Sequence, residues 1–223
     1  NVRILTWKKE FNYSAINNFA VREARGEYLL FLNNDVEIIT ESWLEEMLQL
    51  CQQKDVGMAG AKLYYPDDTI QHAGVVVGLG GVAAHVLCKL PRDAEGYMGR
   101  LRCVQEISAV TAACMMVKTS VFKAVGGFDE ELKVAFNDID LCMKVRKYGV
   151  KIVFTPYAEL YHYESKSRGM EDTPEKQLRF SREVNCFRRK WERELLKGDP
   201  YYNPNLTLNN TDCSLRKQEK NGD

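Results

Sequence analysis

Amide and carboxylate side chains follow directly on a short apolar run, at residues 33–34, Asp35 and Glu37. The apolar run, residues 28–32, is typical of a central strand of a parallel sheet that is buried on both faces. Ligands of open α/β sheets bind beyond the carboxyl ends of the strands. Carboxylates there are suited to a hard divalent cation, which could in turn hold a phosphate. A helix start follows closely, so a helix cap is an equal alternative.

Two further polar groups could carry chemistry. Asp138 and Asp140 lie at the start of a predicted helix, just after a Gly-Gly-Phe-Asp turn at residues 126–129. Carboxylates at a helix N-terminus are stabilised by the helix dipole, so both could simply cap the helix. A carboxylate there could also act as a general base, and the pattern does not decide. His162 lies on a Tyr-flanked strand, where a lone histidine is more often a packed or surface residue than a ligand.

The elements that must position these residues alternate between strands and helices. This alternation predicts an α/β fold with a largely parallel sheet. Periodicity and capping residues predict helices over residues 12–24, 42–53, 119–122, 135–149 and 174 to about 196. Apolar runs predict strands over residues 2–5, 29–32, 56–63, 75–77, 108–117, 151–154 and 159–163.

Three segments are predicted to be irregular or exposed. Residues 70–102 are rich in glycine and should form a long loop after one short strand, and such loops are usually functional or disordered. From residue 203 the chain is polar and Asn-rich, which predicts a loosely packed tail. The last helix has a basic face, which favours a solvated surface over the alternative of membrane-surface contact.

Composition limits the class of protein. Lys plus Arg and Asp plus Glu both number 31, so net charge gives no argument for nucleic acid as a partner. No apolar run approaches the ~20 residues that span a bilayer. The seven cysteines are scattered without a CxxC pair, which favours reduced thiols and the cytoplasm.

Taken in order, these segments resemble the family-two glycosyltransferases of the GT-A fold. Within them the chain is similar to the bacterial rhamnosyltransferase-like enzymes of surface polysaccharide assembly. The resemblance implies an α/β GT-A fold over residues 1–198, with a mostly parallel mixed sheet flanked by helices, and a polar tail over 199–223. The segments that carry it are residues 31–37, 108–115, 126–130, 137–142, 162–169 and 199–204.

The resemblance also implies an activity. The enzyme would move a sugar, with inversion, from a nucleotide-diphosphate donor to a hydroxyl of a glycan or lipid-linked acceptor. A divalent metal, Mn²⁺ or Mg²⁺, would neutralise the leaving diphosphate. The expected location is the cytoplasm, with the inner face of the membrane as an alternative site of action.

Roles follow position by position from the same resemblance. Asp35 would hold the metal, with His162 as a metal or diphosphate contact, and Asp138 would deprotonate the acceptor. Donor and diphosphate contacts would come from Asn34, Glu37 and Arg168. The acceptor side would be formed by His85, Thr111, Cys114, Asn137 and Asp140, with His85 in the pocket or in a lid over it.

The chain departs from the family pattern in three places. Asn33 replaces the first acid of the Asp-x-Asp signature, and Asn137 replaces the Glu that usually precedes the base. The family's first strands are missing, which would leave the strand at residues 29–32 with an unpaired edge. Such an edge favours self-association, and the missing strands predict poor binding of the nucleotide sugar.

These departures keep a second class of function open. A non-catalytic carbohydrate- or partner-binding module derived from the same fold would also explain the asparagines and the missing strands. The retained Asp35, Asp138 and His162 favour the enzyme. A nucleotidyltransferase of similar fold is a third alternative, and the order of the Gly-Gly-Phe-Asp and Asn-Asp-x-Asp segments argues against it.

Overall fold

The computed structural model describes residues 2–164 and 173–217 of the 223-residue chain. The helices are α1 (Tyr13–Glu23), α2 (Trp43–Cys51), α3 (Thr119–Ala124), α4 (Asn137–Tyr148), α5 (Pro174–Lys190) and α6 (Glu192–Lys197). The strands are β1 (Tyr28–Leu32), β2 (Val36–Ile38), β3 (Val56–Tyr64), β4 (Ile70–His72), β5 (Val75–Val77), β6 (Ala83–His85), β7 (Gln105–Glu106), β8 (Cys114–Lys118) and β9 (Lys151–His162).

The main sheet has the order β1-β8-β3-β9-β2, with β4 beside β3 and β7 beside β9. The α/β fold with a mixed sheet flanked by helices is therefore confirmed. Among the described strands, however, β3 and β9 form the one parallel pair, so the prediction of a mostly parallel sheet was wrong for this part of the chain. The reason is that an apolar run shows burial on both faces and carries no information about strand direction.

The central strand β3 explains why the fold is layered. All nine of its residues are buried, because α2 covers one face and the segments after β3 cover the other. Gly60 is required where the chain crosses this second face, since a Cβ there would lie 2.3 Å from Val110 Cγ1. The segment that approaches Gly60, residues 108–113, is mostly buried but forms no strand, whereas the sequence pattern had predicted a strand over all of 108–117.

Strand β1 lies at one end of the sheet. It pairs with β8 along one edge, and no described strand pairs with the other edge, so the prediction of a central strand was wrong and the predicted open edge is present. The strand predicted over residues 2–5 is absent, and Ile4 is 88% exposed. Without a neighbouring strand, these few apolar residues have no partner for a backbone ladder.

The open edge of β1 leads to a prediction about assembly. We expect the molar mass of the chain to rise with concentration in light scattering, because an unpaired strand is a template for a second chain. Leu32→Lys, at a residue that is 41% exposed, should return the chain to a monomer. Leu44→Lys is the matched control, since Leu44 is 40% exposed on α2 and lies on neither edge of the sheet. A wild-type chain that stays monomeric at high concentration would contradict this prediction.

The glycine-rich segment and the tail pack together, which corrects two predictions. Residues 70–102 hold three strands with a buried core, so they are not one long irregular loop. Tail residues reach back to this segment: Val77 N donates to Asp199 Oδ2 (2.8 Å), and Leu87 N donates to Thr211 O (2.6 Å). Tyr202, Leu206 and Cys213 are buried as well, so the described part of the tail is anchored to the fold at several residues. The domain boundary at residue 198 stays a prediction.

The last helix is also shorter than its periodicity predicts. It divides into α5 and α6 at Trp191, and both Trp191 and Phe187 are buried against the core. In the two described stretches, 2–164 and 173–217, no helix combines the length and apolar character needed to cross a membrane.

Candidate active site

A cleft of about 550 Å³ opens where β1 and β9 end beside the start of α4. Two larger clefts, of about 610 and 1030 Å³, contain none of the residues predicted for the site. The structure thus brings six predicted residues from four separate segments into one cavity. They are Asn34, Asp35, Thr111, Asn137, Asp138 and His162.

Asp35 and His162 face each other because their strands pair. Asp35 lies in the turn between β1 and β2, and Val36 is aligned with His162 in the antiparallel β2–β9 ladder. Asp35 Oδ1 lies 3.2 Å from His162 Nε2. The helix-cap alternative for Asp35 is wrong, since β2 separates it from α2 and Ser42 is the N-cap residue there.

The chemistry of this pair fits a divalent cation. Asp35 Oδ1 is buried and accepts no hydrogen bond, which is costly for a carboxylate unless another ligand satisfies it. Oxygen and imidazole ligands together suit Mn²⁺. Within residues 2–164 and 173–217 no group of three or more His, Cys, Asp or Glu side chains is placed to hold a metal. The pair therefore fits a cation that substrate phosphates also coordinate, as is usual for Mg²⁺.

Of the other predicted donor contacts, Asn34 lines the cleft with this pair, whereas Glu37 does not. Glu37 is exposed on β2, and its Oε2 accepts a hydrogen bond from the Tyr163 hydroxyl (2.5 Å). Its side chain is absent from the cleft, so the structure does not bring Glu37 to the predicted position. Arg168 lies outside the described residues.

Asp138 lies in the first turn of α4 and lines the same cleft. Its Oδ2 accepts a hydrogen bond from Ala112 N (3.1 Å) and its Oδ1 accepts one from Ile139 N (2.8 Å). The carboxylate is only partly buried, so it remains accessible from the cleft. It is therefore held firmly by the backbone and still open to a ligand, which fits a general base as well as a structural role.

Asp140, two residues further on, faces away from the cleft. It is fully buried, and its Oδ1 accepts hydrogen bonds from Trp191 Nε1 (2.8 Å) and Lys190 Nζ (2.8 Å). Lys144 Nζ lies 3.3 Å from Oδ2. The assignment of Asp140 to the acceptor side is thus wrong, because the residue links α4 to the end of α5.

This buried cluster yields a stability prediction. Asp140→Ala should lower the free energy of unfolding by about 1–3 kcal/mol, because the buried Trp191 Nε1–H would lose its acceptor and Lys144 and Lys190 would lose a shared anion. Urea denaturation followed by circular dichroism measures the change. Asp93→Ala is the control, since Asp93 is exposed. Equal midpoints for the two variants would show that Asp140 does not stabilise the fold.

His85 and Cys114 are not among the residues that line the cleft. His85 Nδ1 lies 2.9 Å from His72 Nδ1, and Thr111 N donates to His72 Nε2 (3.4 Å), so His72 contacts both residues. Burial lowers the pKa of both histidines. Cys114 is 1% exposed beside Met47, and burial raises the pKa of its thiol to about 12. Neither side chain lines the cleft, which corrects both assignments.

Several residues that line the cleft were not among the predicted site residues, and three of them are polar or aromatic side chains near Asp138 or His162 in the chain or the fold. Tyr13 begins α1, and its hydroxyl donates to Ala112 O (3.2 Å); burial, with the nearby Asp138 charge, raises its pKa. Phe11 lies beside it, and Glu164 follows His162 by two residues. The proximity of Glu164 to His162 in the sequence was an available signal, whereas nothing local distinguishes Tyr13 from an ordinary first-turn residue.

The fold and the cleft define a class of protein. The mixed sheet, with an acidic turn after an end strand and a carboxylate helix start in the same cleft, is the GT-A arrangement. The chain belongs to the glycosyltransferase-like family, whose model matches residues 1–183.

Solved structures share this fold. A mannosyltransferase from Pyrobaculum calidifontis in complex with GDP-Man and Mn²⁺ superposes with a TM-score of 0.55 at 15% identity, covering 83% of this chain and 45% of that chain. GalNAc-T7 with UDP, GalNAc and Mn²⁺ gives a TM-score of 0.60 at 12% identity, covering 85% of this chain and 36% of that chain.

Curated relatives include much longer proteins. The uncharacterized protein y4gI of Sinorhizobium fredii is 56% identical over 215 residues, which is 96% of this chain and 24% of that protein. The O-antigen biosynthesis protein RfbC of Myxococcus xanthus is 42% identical over 220 residues, 98% of this chain and 17% of that protein. An N-acetylglucosaminyl-diphospho-decaprenol L-rhamnosyltransferase of Mycobacterium tuberculosis is 36% identical over 62 residues, covering 28% of this chain and 20% of that protein. The chain thus spans less than a quarter of the first two.

Proposed function

We propose that the chain is the catalytic part of an inverting, metal-dependent glycosyltransferase that uses a nucleotide-diphosphate sugar. The observation that carries this proposal is the buried, unbonded Asp35 Oδ1, 3.2 Å from His162 Nε2, in one cleft with Asp138. The family membership and the GT-A fold support it. Mn²⁺ in two solved neighbours supports the use of a divalent metal.

The donor half of the cleft would be organised by Asp35 and His162. Together they would hold the cation, with Asn34 at the same turn placed to contact the diphosphate. When bound, a divalent metal stabilises the negative charge that develops on a leaving diphosphate. The residues' own task is to fix the donor so that its anomeric carbon faces Asp138, which is a positioning contribution.

The acceptor half would be organised by Asp138. Its carboxylate takes the proton of the acceptor hydroxyl, the hydroxyl oxygen forms the new bond to the anomeric carbon, and the bond to the diphosphate oxygen breaks. Attack from the side opposite the leaving group inverts the configuration. Ala112 N–H holds the carboxylate in place, and Thr111 and Asn137 lie beside it in the cleft.

The setting we propose is assembly of a bacterial surface polysaccharide on a glycan or lipid-linked acceptor. Relatives named for O-antigen biosynthesis and for a diphospho-decaprenol rhamnosyltransferase support this setting. The cytoplasm and the inner membrane face remain the predicted location.

A donor screen tests the proposed function. The chain, and any longer protein in which it occurs, are incubated with individual nucleotide sugars and Mn²⁺, and release of nucleoside diphosphate is measured. We expect release with one donor, which EDTA abolishes and Mn²⁺ restores. No release with any donor or acceptor extract would favour the second candidate, a non-catalytic binding module, which Asn33 and the open β1 edge support.

A further inference from the structure

The buried strand β4 places one amide directly behind the proposed cation site. Gln71 is 5% exposed and lies on the side of His162 that faces away from Asp35. Its Oε1 lies 2.7 Å from His162 Nδ1, and its Nε2 donates to His162 O (3.2 Å) and to Glu164 Oε2 (3.4 Å). The side chain is thus engaged at both ends.

The partners of Gln71 determine which of its ends is the oxygen. A backbone carbonyl and a carboxylate can only accept hydrogen bonds, so the amide NH₂ must face His162 O and Glu164. The amide oxygen then faces His162 Nδ1, and an oxygen can only accept. His162 must therefore carry its proton on Nδ1, which leaves the lone pair of the neutral imidazole on Nε2.

The alternative tautomer has a partner of its own. With the proton on Nε2, His162 would donate to Asp35 Oδ1, which lies 3.2 Å away and accepts no other hydrogen bond. That contact would occupy both atoms that a cation needs. Asp35 thus favours the Nε2–H tautomer, which would block a cation, whereas Gln71 on the other side of the ring favours the Nδ1–H tautomer.

We propose that Gln71 is a positioning residue that sets the His162 tautomer and so keeps Nε2 and Asp35 Oδ1 available for a divalent cation. The proposal rests on the proposed function for the identity of that cation. Partners behind a metal-binding histidine commonly fix ring orientation and tautomer, and their loss costs ~10- to 100-fold in metal affinity or activity. Asn33 Nδ2, 3.1 Å from Nε2, is placed to donate to the same lone pair while no metal is bound.

Nuclear magnetic resonance of the metal-free chain tests the tautomer directly. The chain has three histidines, so the ring nitrogens of His162 can be assigned by comparison with His162→Ala. Spectra are recorded at about pH 8, where an ordinary imidazole is neutral. We expect wild-type His162 to be protonated on Nδ1. Protonation on Nε2 in the wild type would overturn the proposal without any need for a Gln71 variant.

A second measurement links the tautomer to the cation. Gln71→Met keeps the side-chain volume but removes both hydrogen-bonding ends, so we expect it to shift His162 toward the Nε2–H form. Mn²⁺ affinity, read by electron paramagnetic resonance, should fall ~10- to 100-fold. Gln49→Met on the exposed side of α2 is the matched control and should change neither quantity.

The two measurements separate failure of this inference from failure of the proposed function. If the wild type binds Mn²⁺ and Gln71→Met changes neither tautomer nor affinity, the role of Gln71 is wrong and the enzyme hypothesis stands. If no chain binds Mn²⁺ yet Gln71→Met still changes the tautomer, Gln71 sets the tautomer and the metal in the proposed function is wrong.

Discussion

Asp138→Asn is expected to lower the kcat of sugar transfer by ~10²- to 10⁴-fold, the range that a general base contributes. An amide keeps the shape of the side chain but cannot take the proton of the acceptor hydroxyl. Release of nucleoside diphosphate in the presence of Mn²⁺, donor and acceptor measures the effect. Asp93→Asn, at an exposed position outside the cleft, is the matched control.

Two further measurements make this result specific to the base. The variant should retain Mn²⁺ affinity, because Asp35 and His162 lie on other elements than α4, which carries Asp138. Its urea midpoint should fall only modestly, since the one amide oxygen can accept from Ala112 N or from Ile139 N, and only the other bond is lost. Unchanged kcat in a folded variant would eliminate Asp138 as the base.

The second large effect is expected at the cation. Asp35→Asn should weaken Mn²⁺ binding by more than ~100-fold, since outer partners alone account for ~10- to 100-fold. The reason is that it removes the charged oxygen that faces His162 Nε2. Titration by electron paramagnetic resonance measures affinity, and excess Mn²⁺ should restore part of the transfer rate.

Glu37→Gln is the matched control for Asp35, because Glu37 lies two residues away and faces Tyr163 instead of the cleft. We expect its Mn²⁺ affinity to equal that of the wild type. If Asp35→Asn bound Mn²⁺ normally while Glu37→Gln did not, the cation site would have to be placed on the other side of β2.

The sequence predicts individual residues of this site, but it does not predict contacts between residues that lie far apart along the chain. The resemblance identified Asp35, Asp138 and His162, but the contact of Asp35 with His162 depends on β2 pairing with β9, more than a hundred residues apart. No local pattern reports such a pairing, and the direction of the strands was accordingly predicted wrongly.

Asp138 and Asp140 show a different limit. Residues two apart on a helix point to nearly opposite sides, so the sequence could have excluded both from facing one cleft. It could not have shown which of them would be buried, because that depends on Lys190 and Trp191 at the end of a distant helix. Similarly, the glycines of residues 70–102 and the asparagines after residue 203 suggested a loose loop and a loose tail. In the structure, tail oxygens instead accept hydrogen bonds from backbone amides of the glycine-rich segment.

The packing of the tail against the glycine-rich segment has a practical consequence for anyone who shortens this chain. The family model ends at residue 183, and an expression boundary chosen there or at 198 would remove Asp199 and Thr211. Val77 and Leu87 are each 1% exposed, and their backbone amides would then lose their hydrogen-bond acceptors. Each unsatisfied amide costs about 1–3 kcal/mol. The physical folding unit therefore includes residues 199–217, and gene fragments should be cut beyond them.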